Sequence, residues 1–334
     1  MIKRIIGIGN ALTDMLVTLS DDGVLGEFQL EKGSMSLVDS PLQMAVSKSV
    51  AGSPYSLSLG GSAGNTVRAM ARLGTEVGFI GKVGEDTTGE FYIDALRNLG
   101  VEPFILASEY PSGKCLSLIS PDGERTLVTH LGAAAHLSKE DIDPSVFEGY
   151  DCLYVEGYLV QDHSLIRTPI ARAKRAGLKV AIALASFNAV RENRDFLTDI
   201  VARYVDILFA NEEEATTFSG KESAEASLDY IASMCELAVV KIGMKGALIR
   251  RGVERLHVGI MSAAKRVDTT GAGDFYAAGF LSALAEGMTL RQCGTIGAIT
   301  AGKVIEVVGT TFSEEAWDEI YALREQVRSQ QYLF

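Results

Sequence analysis

Three short stretches of the chain join glycine to side chains able to move a proton or hold an anion. The first, Val267–Phe280 (VDTTGAGDFYAAGF), runs from a strand-like end through Thr-Thr-Gly-Ala-Gly into an apolar helical pattern. Free backbone N–H groups and the helix dipole at such a start both favour an anion. Asp274 follows the glycines directly, and a carboxylate there opposes a resting phosphate. It suits instead a proton acceptor for a hydroxyl attacking a phosphoryl group. The amides of Gly271, Ala272 and Gly273 would hold the charge that develops. The plain alternative is an acid that merely favours the helix start.

The second stretch, Gly60-Gly61-Ser62-Ala63-Gly64-Asn65, lies between a strand-like end and a helical pattern. Glycines there admit a ligand close to the backbone. Asn65 both donates and accepts, which suits hydroxyl recognition, although a tight turn without a ligand fits equally. The third, Asn211-Glu212-Glu213-Glu214, follows the strand-like DILFA. Acids at the end of a parallel strand can hold Mg²⁺ through water. The same residues also read as a capping asparagine and the acids of a first helical turn. Gly7-Ile8-Gly9-Asn10-Ala11-Leu12 begins a GxGxxG but has Leu12 at its third glycine position. No helical pattern follows it, and GxxxxGK[ST] is absent, so neither a dinucleotide fingerprint nor a P-loop is supported.

The elements that must position these residues are visible as alternating patterns. Strand-length apolar runs are RIIGIG (Arg4–Gly9), EVGFIGKVG, CLYVEG (Cys152–Gly157), LKVAIAL, DILFAN (Asp206–Asn211) and LAVVKIG (Leu237–Gly243). Helical patterns cover Ser62–Leu73, Thr87–Leu99, Leu165–Ala176, Asn193–Tyr204 and Glu212–Ser219. This alternation predicts an α/β fold, a mostly parallel sheet with helices on both faces. Met15–Leu59 and Val101–His130 break the rhythm with short alternating pieces such as SMSLVD, EPFILAS and KCLSLISPDGERTLVTH. The last contains a Pro-Asp-Gly turn signal. Both stretches predict strands of a small β lid inserted into a single domain of residues 1–334.

A chain of 334 residues that is 47% hydrophobic can bury a large core. Its net charge of −12 argues against general affinity for nucleic acid or an anionic membrane. No run approaches the roughly 18 apolar residues of a membrane span, and no secretory leader pattern is present, so a cytoplasmic location is expected. Cys115, Cys152, Cys235 and Cys293 lack metal or disulfide spacing and read as buried reduced thiols.

In this order, and over nearly the whole chain, the stretches resemble the ribokinase-like family of carbohydrate kinases, the PfkB family. Gly60–Asn65 is similar to its N-terminal glycine signature, Asn211–Glu214 to its N-x-x-E magnesium motif, and Asp268–Asp274 (DTTGAGD) to its C-terminal signature. The resemblance implies one α/β domain with a small β lid, and MgATP-dependent transfer of the γ-phosphoryl group to a primary alcohol. Asp274 would be the base, and the amides of Gly271, Ala272 and Gly273 the anion hole. Asn211 and Glu214 would organise Mg²⁺ and the phosphates. Asn10, Asp14, Gly60, Gly61 and Asn65 would bind substrate hydroxyls, with Asp14 able to accept from two of them. Lys241, Gly243, Gly246 and Thr270 would line the nucleotide side. Asp268 and Thr270 flank the loop where many members bind a monovalent cation such as K⁺.

Within the family, GNALTD (Gly9–Asp14), GERTLVTHLGAA (Gly123–Ala134), YVEGYLV (Tyr154–Val160) and DILFANEEEA look most similar to the adenosine kinase group. There an arginine matching Arg125 comes from the lid to offset phosphate charge. Tyr158 could stack on a purine, and core packing fits a lone aromatic equally. The chain departs from that group at Thr270, commonly Asn, and at Ala11, commonly Pro. These departures count against a nucleoside acceptor but not against a kinase; on the similar stretches, adenosine is the first expectation for the acceptor. A sugar such as ribose or fructose, or a sugar acid such as 2-keto-3-deoxygluconate, is the alternative. A metabolite sensor without turnover is the competing class. Strand edges in the lid suggest a homodimer.

Overall fold

The apolar runs become strands of two sheets in the computed structural model, which describes residues 2–262 and 265–330. The strands are β1 (Arg4–Ile8), β2 (Leu12–Thr18), β3 (Met35–Leu37), β4 (Tyr55–Gly60), β5 (Glu76–Gly84), β6 (Val101–Ser108) and β7 (Gly113–Ile119). They continue with β8 (Arg125–His130), β9 (Cys152–Glu156), β10 (Lys179–Ala183), β11 (Ile207–Asn211), β12 (Leu237–Lys241), β13 (Ala247–Arg251) and β14 (Glu254–Val258). The large sheet has nine strands in the order β14-β13-β12-β11-β10-β9-β1-β5-β6. From β12 to β6 every pairing is parallel, and β13 and β14 add an antiparallel edge. The mostly parallel sheet is as the alternation predicts.

Successive side chains of a strand face opposite sides, and β1 shows the consequence. Ile5 joins a core with Val67, Met70, Phe275, Phe280 and Ile299 of the covering helices. Ile6 joins a second core with Ile166, Ile170, Ile200 and Leu228 on the other face. The strand order reverses at β1, since β5 and β6 extend to one side and β9 to β12 to the other. Such a reversal opens a crevice at the carboxyl ends of the strands. Asn10 just beyond β1, Glu156, Asn211 and Lys241 all stand at that edge.

The small sheet has the order β3-β8-β7-β2-β4 and its own core of Val17, Val46, Leu116, Leu118 and Val128. Two expectations about it are corrected. Val101–Ser108 lies in the large sheet, paired with β5 from Val77↔Val101 to Gly84↔Ser108. An outermost strand is covered unevenly and alternates much as a lid strand does, so the pattern alone misplaces it. Met15–Leu59 is also not all strand, because Ser40–Ser49 is a helix. Asp39 caps it by accepting from Leu42 N at 3.0 Å, and Pro41 stands in its first turn, a start signal that the lid reading overlooks. All four cysteines are buried and unpaired. Among the described residues, no helix is long and apolar enough to cross a membrane.

Candidate active site

A cavity of about 1110 Å³ opens at the carboxyl edge of the large sheet and is lined by both sheets. Pockets for one small molecule span roughly 300–1,000 Å³, so this one has room for two reactants. Most of the residues singled out in the sequence line it: Asn10, Asp14, Gly61, Asn65, Arg125, Tyr158, Asn211, Glu214, Lys241, Gly243, Gly246 and Thr270 through Asp274. Gly60 and Asp268 do not line it, and each supports a residue that does.

The chain leaves β1 and turns directly into β2, which carries Asp14. Pairing of β2 with β4 sets Leu12 opposite Gly60 and Asp14 opposite Ser58. A Cβ on Gly60 would stand 2.2 Å from Asp14 Oδ1, so only glycine leaves that carboxylate its place. Gly61 has φ +80° and begins the Ser62–Arg72 helix, a backbone conformation that L side chains rarely adopt. That helix presents Ser62 and Asn65 to Asp274. Ser62 Oγ donates to Asp274 Oδ1 at 2.7 Å, and Asn65 Nδ2 donates to Oδ2 at 3.0 Å.

Burial pushes the Asp274 carboxyl above the usual carboxylate range, against the pull of Ser62, Asn65, Lys241 and Arg68. A more basic carboxylate is a better proton acceptor near neutral pH. Burial also pushes Asp14 up to about 6, with Arg68 and Arg125 pulling it down and Asp274 adding to the rise. The two acids therefore share one cavity floor in different surroundings.

The glycine loop corrects one expectation. Gly271, with φ +74°, caps the Ala272–Ala285 helix. Ala272 N donates to Thr269 O at 3.2 Å, so it closes a turn rather than facing a ligand. The amides left for an anion are those of Gly271 and Gly273. A Cβ on Gly273 would lie 2.7 Å from Lys241 Nζ, so the ammonium at the end of β12 stands over the same loop. Helix N-terminus and ammonium together make the site attractive to an anion.

Asn211 and Lys241 are register partners on β11 and β12. Asn211 Oδ1 accepts from Glu214 N, while Asn211 N and Nδ2 donate to the two Glu214 carboxylate oxygens, all at 2.8 Å. The capping reading therefore holds. Glu214 is buried, and burial raises its carboxyl despite the nearby Lys241. Among the described residues, no group of three or more His, Cys, Asp or Glu could hold a metal ion. A hydrated Mg²⁺ shared with phosphates needs only one or two carboxylates, and Glu214 fits that lesser requirement.

Arg125 begins β8 of the small sheet and reaches across to the glycine loop. Its guanidinium pairs with Asp268, bonds to Ser117 Oγ, and donates to Thr270 Oγ1 at 3.2 Å. Asp268 also accepts from Thr270 N and Gly309 N, both at 2.9 Å. The side chains expected around K⁺ are thus committed to protein donors, with a guanidinium supplying the positive charge. They do not fit a cation cage.

Sequence reasoning passes over Glu156, Arg68 and Thr310, and treats Ser62 only as part of a turn. Glu156 ends β9 and is buried, which pushes its carboxyl up to about 7. It accepts from Asn10 Nδ2 at 2.7 Å and Ala63 N at 2.9 Å, tying the exit of β1 to the start of the Ser62–Arg72 helix. An acid closing the apolar run CLYV is the signal that marks it. Leu12, Met35, Leu37, Leu127 and Leu131 form an apolar wall beside the polar floor. The Tyr158 side chain stands in that lining and is 39% exposed.

Known proteins share this fold over nearly the whole chain. The model of the pfkB family carbohydrate kinases matches residues 35–317. An adenosine kinase structure from Sinorhizobium meliloti superposes with a TM-score of 0.85 at 32% identity, covering 96% of this chain and 100% of that one. A probable sugar kinase from Rhizobium etli superposes with a TM-score of 0.86 at 30% identity, covering 96% and 99%. A nucleoside kinase of Methanocaldococcus jannaschii is 28% identical over 275 residues, 80% of this chain and 86% of its own. Both superposed structures carry the ribokinase-like α/β fold. The chain belongs to the pfkB family of carbohydrate kinases, phosphotransferases that act on hydroxyl groups of sugars or nucleosides.

Proposed function

We propose that this chain transfers the γ-phosphoryl group of ATP to the primary hydroxyl of a nucleoside, adenosine being the first candidate. The observation that carries the reading is the two-sided cavity. Asp14, Asn65 and Asp274 form a polar floor, and Leu12, Met35, Leu37, Leu127 and Leu131 an apolar wall beside it. A nucleoside divides the same way, into ribose hydroxyls and a flat base. A free sugar is polar all round and would leave that wall facing water. Tyr158 offers a ring face to the base. Similarity to an adenosine kinase at 32% identity supports the reading.

In this proposal Asp14 accepts hydrogen bonds from two ribose hydroxyls, and Asn10 and the Gly60–Asn65 turn complete the sugar pocket. Asp274 takes the proton of the primary hydroxyl as its oxygen bonds to the γ-phosphorus. The bond from that phosphorus to the β,γ-bridging oxygen breaks. The Gly271 and Gly273 amides, Lys241 and Arg125 offset charge on the transferring group. Thr270, Gly243 and Gly246 border the nucleotide side. Mg²⁺, associated with Asn211 and Glu214 through water, would neutralise phosphate charge. No monovalent cation enters the proposal, since Arg125 already lies on Asp268.

ADP release with MgATP is the test, against adenosine, inosine, ribose, fructose and 2-keto-3-deoxygluconate. Selective turnover of adenosine is the expected result. Turnover of a sugar with adenosine inert would replace the acceptor and leave the chemistry at Asp274 intact. Tight binding without turnover of any hydroxyl compound would refute the kinase reading.

A further inference from the structure

We propose that Arg68 is a positioning residue of this site: it locks the Asn65 amide in the orientation that donates to Asp274 and keeps a fixed positive charge behind the two floor carboxylates. The inference rests on the kinase reading for its consequence and on the hydrogen-bond network for its origin.

Arg68 follows Ser62 and Asn65 along one helix and is only 8% exposed. Its Nη2 donates to Asn65 Oδ1 at 2.9 Å and to Thr310 O at 2.8 Å, and it also bonds Thr310 Oγ1. The Thr310 hydroxyl donates to the same Asn65 Oδ1 at 3.3 Å. With its oxygen held by two donors, the Asn65 amide must turn its NH₂ toward Asp274 Oδ2, 3.0 Å away. The reversed amide would set NH₂ against a guanidinium and C=O against a carboxylate, both unfavourable.

Packing alone does not account for an arginine here. Its hydrogen-bond partners are neutral oxygens, the Phe275 ring centre lies 5.9 Å from its guanidinium, and its Nε is buried without a hydrogen-bond partner. Burying a charge without an ion pair is costly, and an apolar side chain of similar length avoids that cost. What the charge acts on lies nearby. Asp14 and Asp274 are both drawn toward their ionised forms by Arg68. The other charged groups acting on them are Lys241, Arg125, Glu156 and Glu214. Thr310 extends the clamp to the glycine loop, because a Cβ on Gly271 would meet its methyl group at 2.5 Å.

The test compares wild type, Arg68→Met, Arg68→Lys and Thr310→Val. With adenosine and MgATP, Arg68→Met should lower kcat by about 10²-fold through loss of alignment, leave KM for MgATP within about twofold, and alter the pH profile of kcat. Arg68→Lys, which keeps the charge on a single donor nitrogen, should recover part of the loss. Independently of turnover, the Tm gap between wild type and Arg68→Met should be wider at pH 8 than at pH 5. Arg68 favours ionised carboxylates, so its contribution is present at high pH and lost as they protonate. An equal gap at both pH values with an unshifted kcat profile would overturn the proposal. An inert wild type would refute the kinase reading, and the pH dependence of the gap would still decide the role of Arg68. If Arg68→Met does not fold, Thr310→Val carries the test: a several-fold fall in kcat at unchanged KM for MgATP supports the clamp, and wild-type kcat overturns it.

Discussion

Replacing Asp274 by Asn removes the proton acceptor while keeping nearly every contact. In the native site Ser62 Oγ donates to one carboxylate oxygen at 2.7 Å and Asn65 Nδ2 to the other at 3.0 Å. The asparagine can keep its oxygen toward Asn65 and turn its NH₂ toward Ser62, whose hydroxyl rotates to accept. Geometry is thus preserved and basicity is lost. General-base catalysis contributes about 10²–10⁴-fold, which is roughly 3–5 kcal/mol of barrier at ~1.4 kcal/mol per tenfold. Stability should move the other way. Burial raises the folded-state pKa of Asp274, so the folded protein holds this proton more tightly than the unfolded chain. The group therefore favours folding at low pH, and that help is lost as pH rises through the folded pKa. A neutral asparagine escapes this penalty, so Tm at pH 8 should equal or exceed that of wild type. The assay is ADP release at saturating adenosine and MgATP, with thermal unfolding at the same pH. A variant that keeps kcat within about threefold of wild type removes Asp274 from the base role. A fall in kcat matched by a large fall in Tm would mean that the contacts, not the proton, were lost.

Other perturbations separate the two halves of the cavity. Asp14→Ala should raise KM for the acceptor by ~10²-fold or more, from two lost hydrogen bonds to a charged group at about 1.5–3 kcal/mol each, with KM for ATP little changed; equal effects on both would put Asp14 in the wrong pocket. Asp14 accepts from two hydroxyls through both of its oxygens only when ionised, and burial pushes its carboxyl up to about 6. Acceptor KM should therefore climb as pH falls through 6, and Asp14→Asn should flatten that limb. Gly60→Ala places a methyl 2.2 Å from Asp14 Oδ1 and should reproduce the acceptor defect of Asp14→Ala, measurable as the same split between the two KM values. Leu127→Ser should cost about 1–2 kcal/mol of apolar contact, a roughly 5–30-fold loss in kcat/KM for adenosine, while any ribose turnover stays within about twofold; an equal loss on both would show that the wall does not meet the base.

Much of this protein can be read from residues close together in the chain. EVGFIGKVG is a strand with the bounds its apolar run implies, Glu76–Gly84. The glycines and acid around Asp274 mark a helix start facing a cavity, although among the described residues no strand leads into it, and Asn211–Glu214 is the helix cap its spacing suggests. Periods of two and 3.6, caps and turn residues act within a few residues, so they survive in the sequence as pattern. The same locality explains the misreadings. Val101–Ser108 alternates like a lid strand, and nothing within eight residues says that its neighbour is β5.

The working site was decided at longer range. Ser62 and Asn65 meet Asp274 across 212 and 209 residues. Arg125 crosses 143 residues to Asp268, the carboxylate that the local motif offers to a cation. Asn10 and Glu156 meet because β1 and β9 are neighbours at the point where the strand order reverses. The local chemistry specifies which residue types are available: an acid behind glycines, an amide, a cation. Their protonation, amide orientation and partners follow from burial and from strand adjacency, and those exist only once the chain has closed around the cavity.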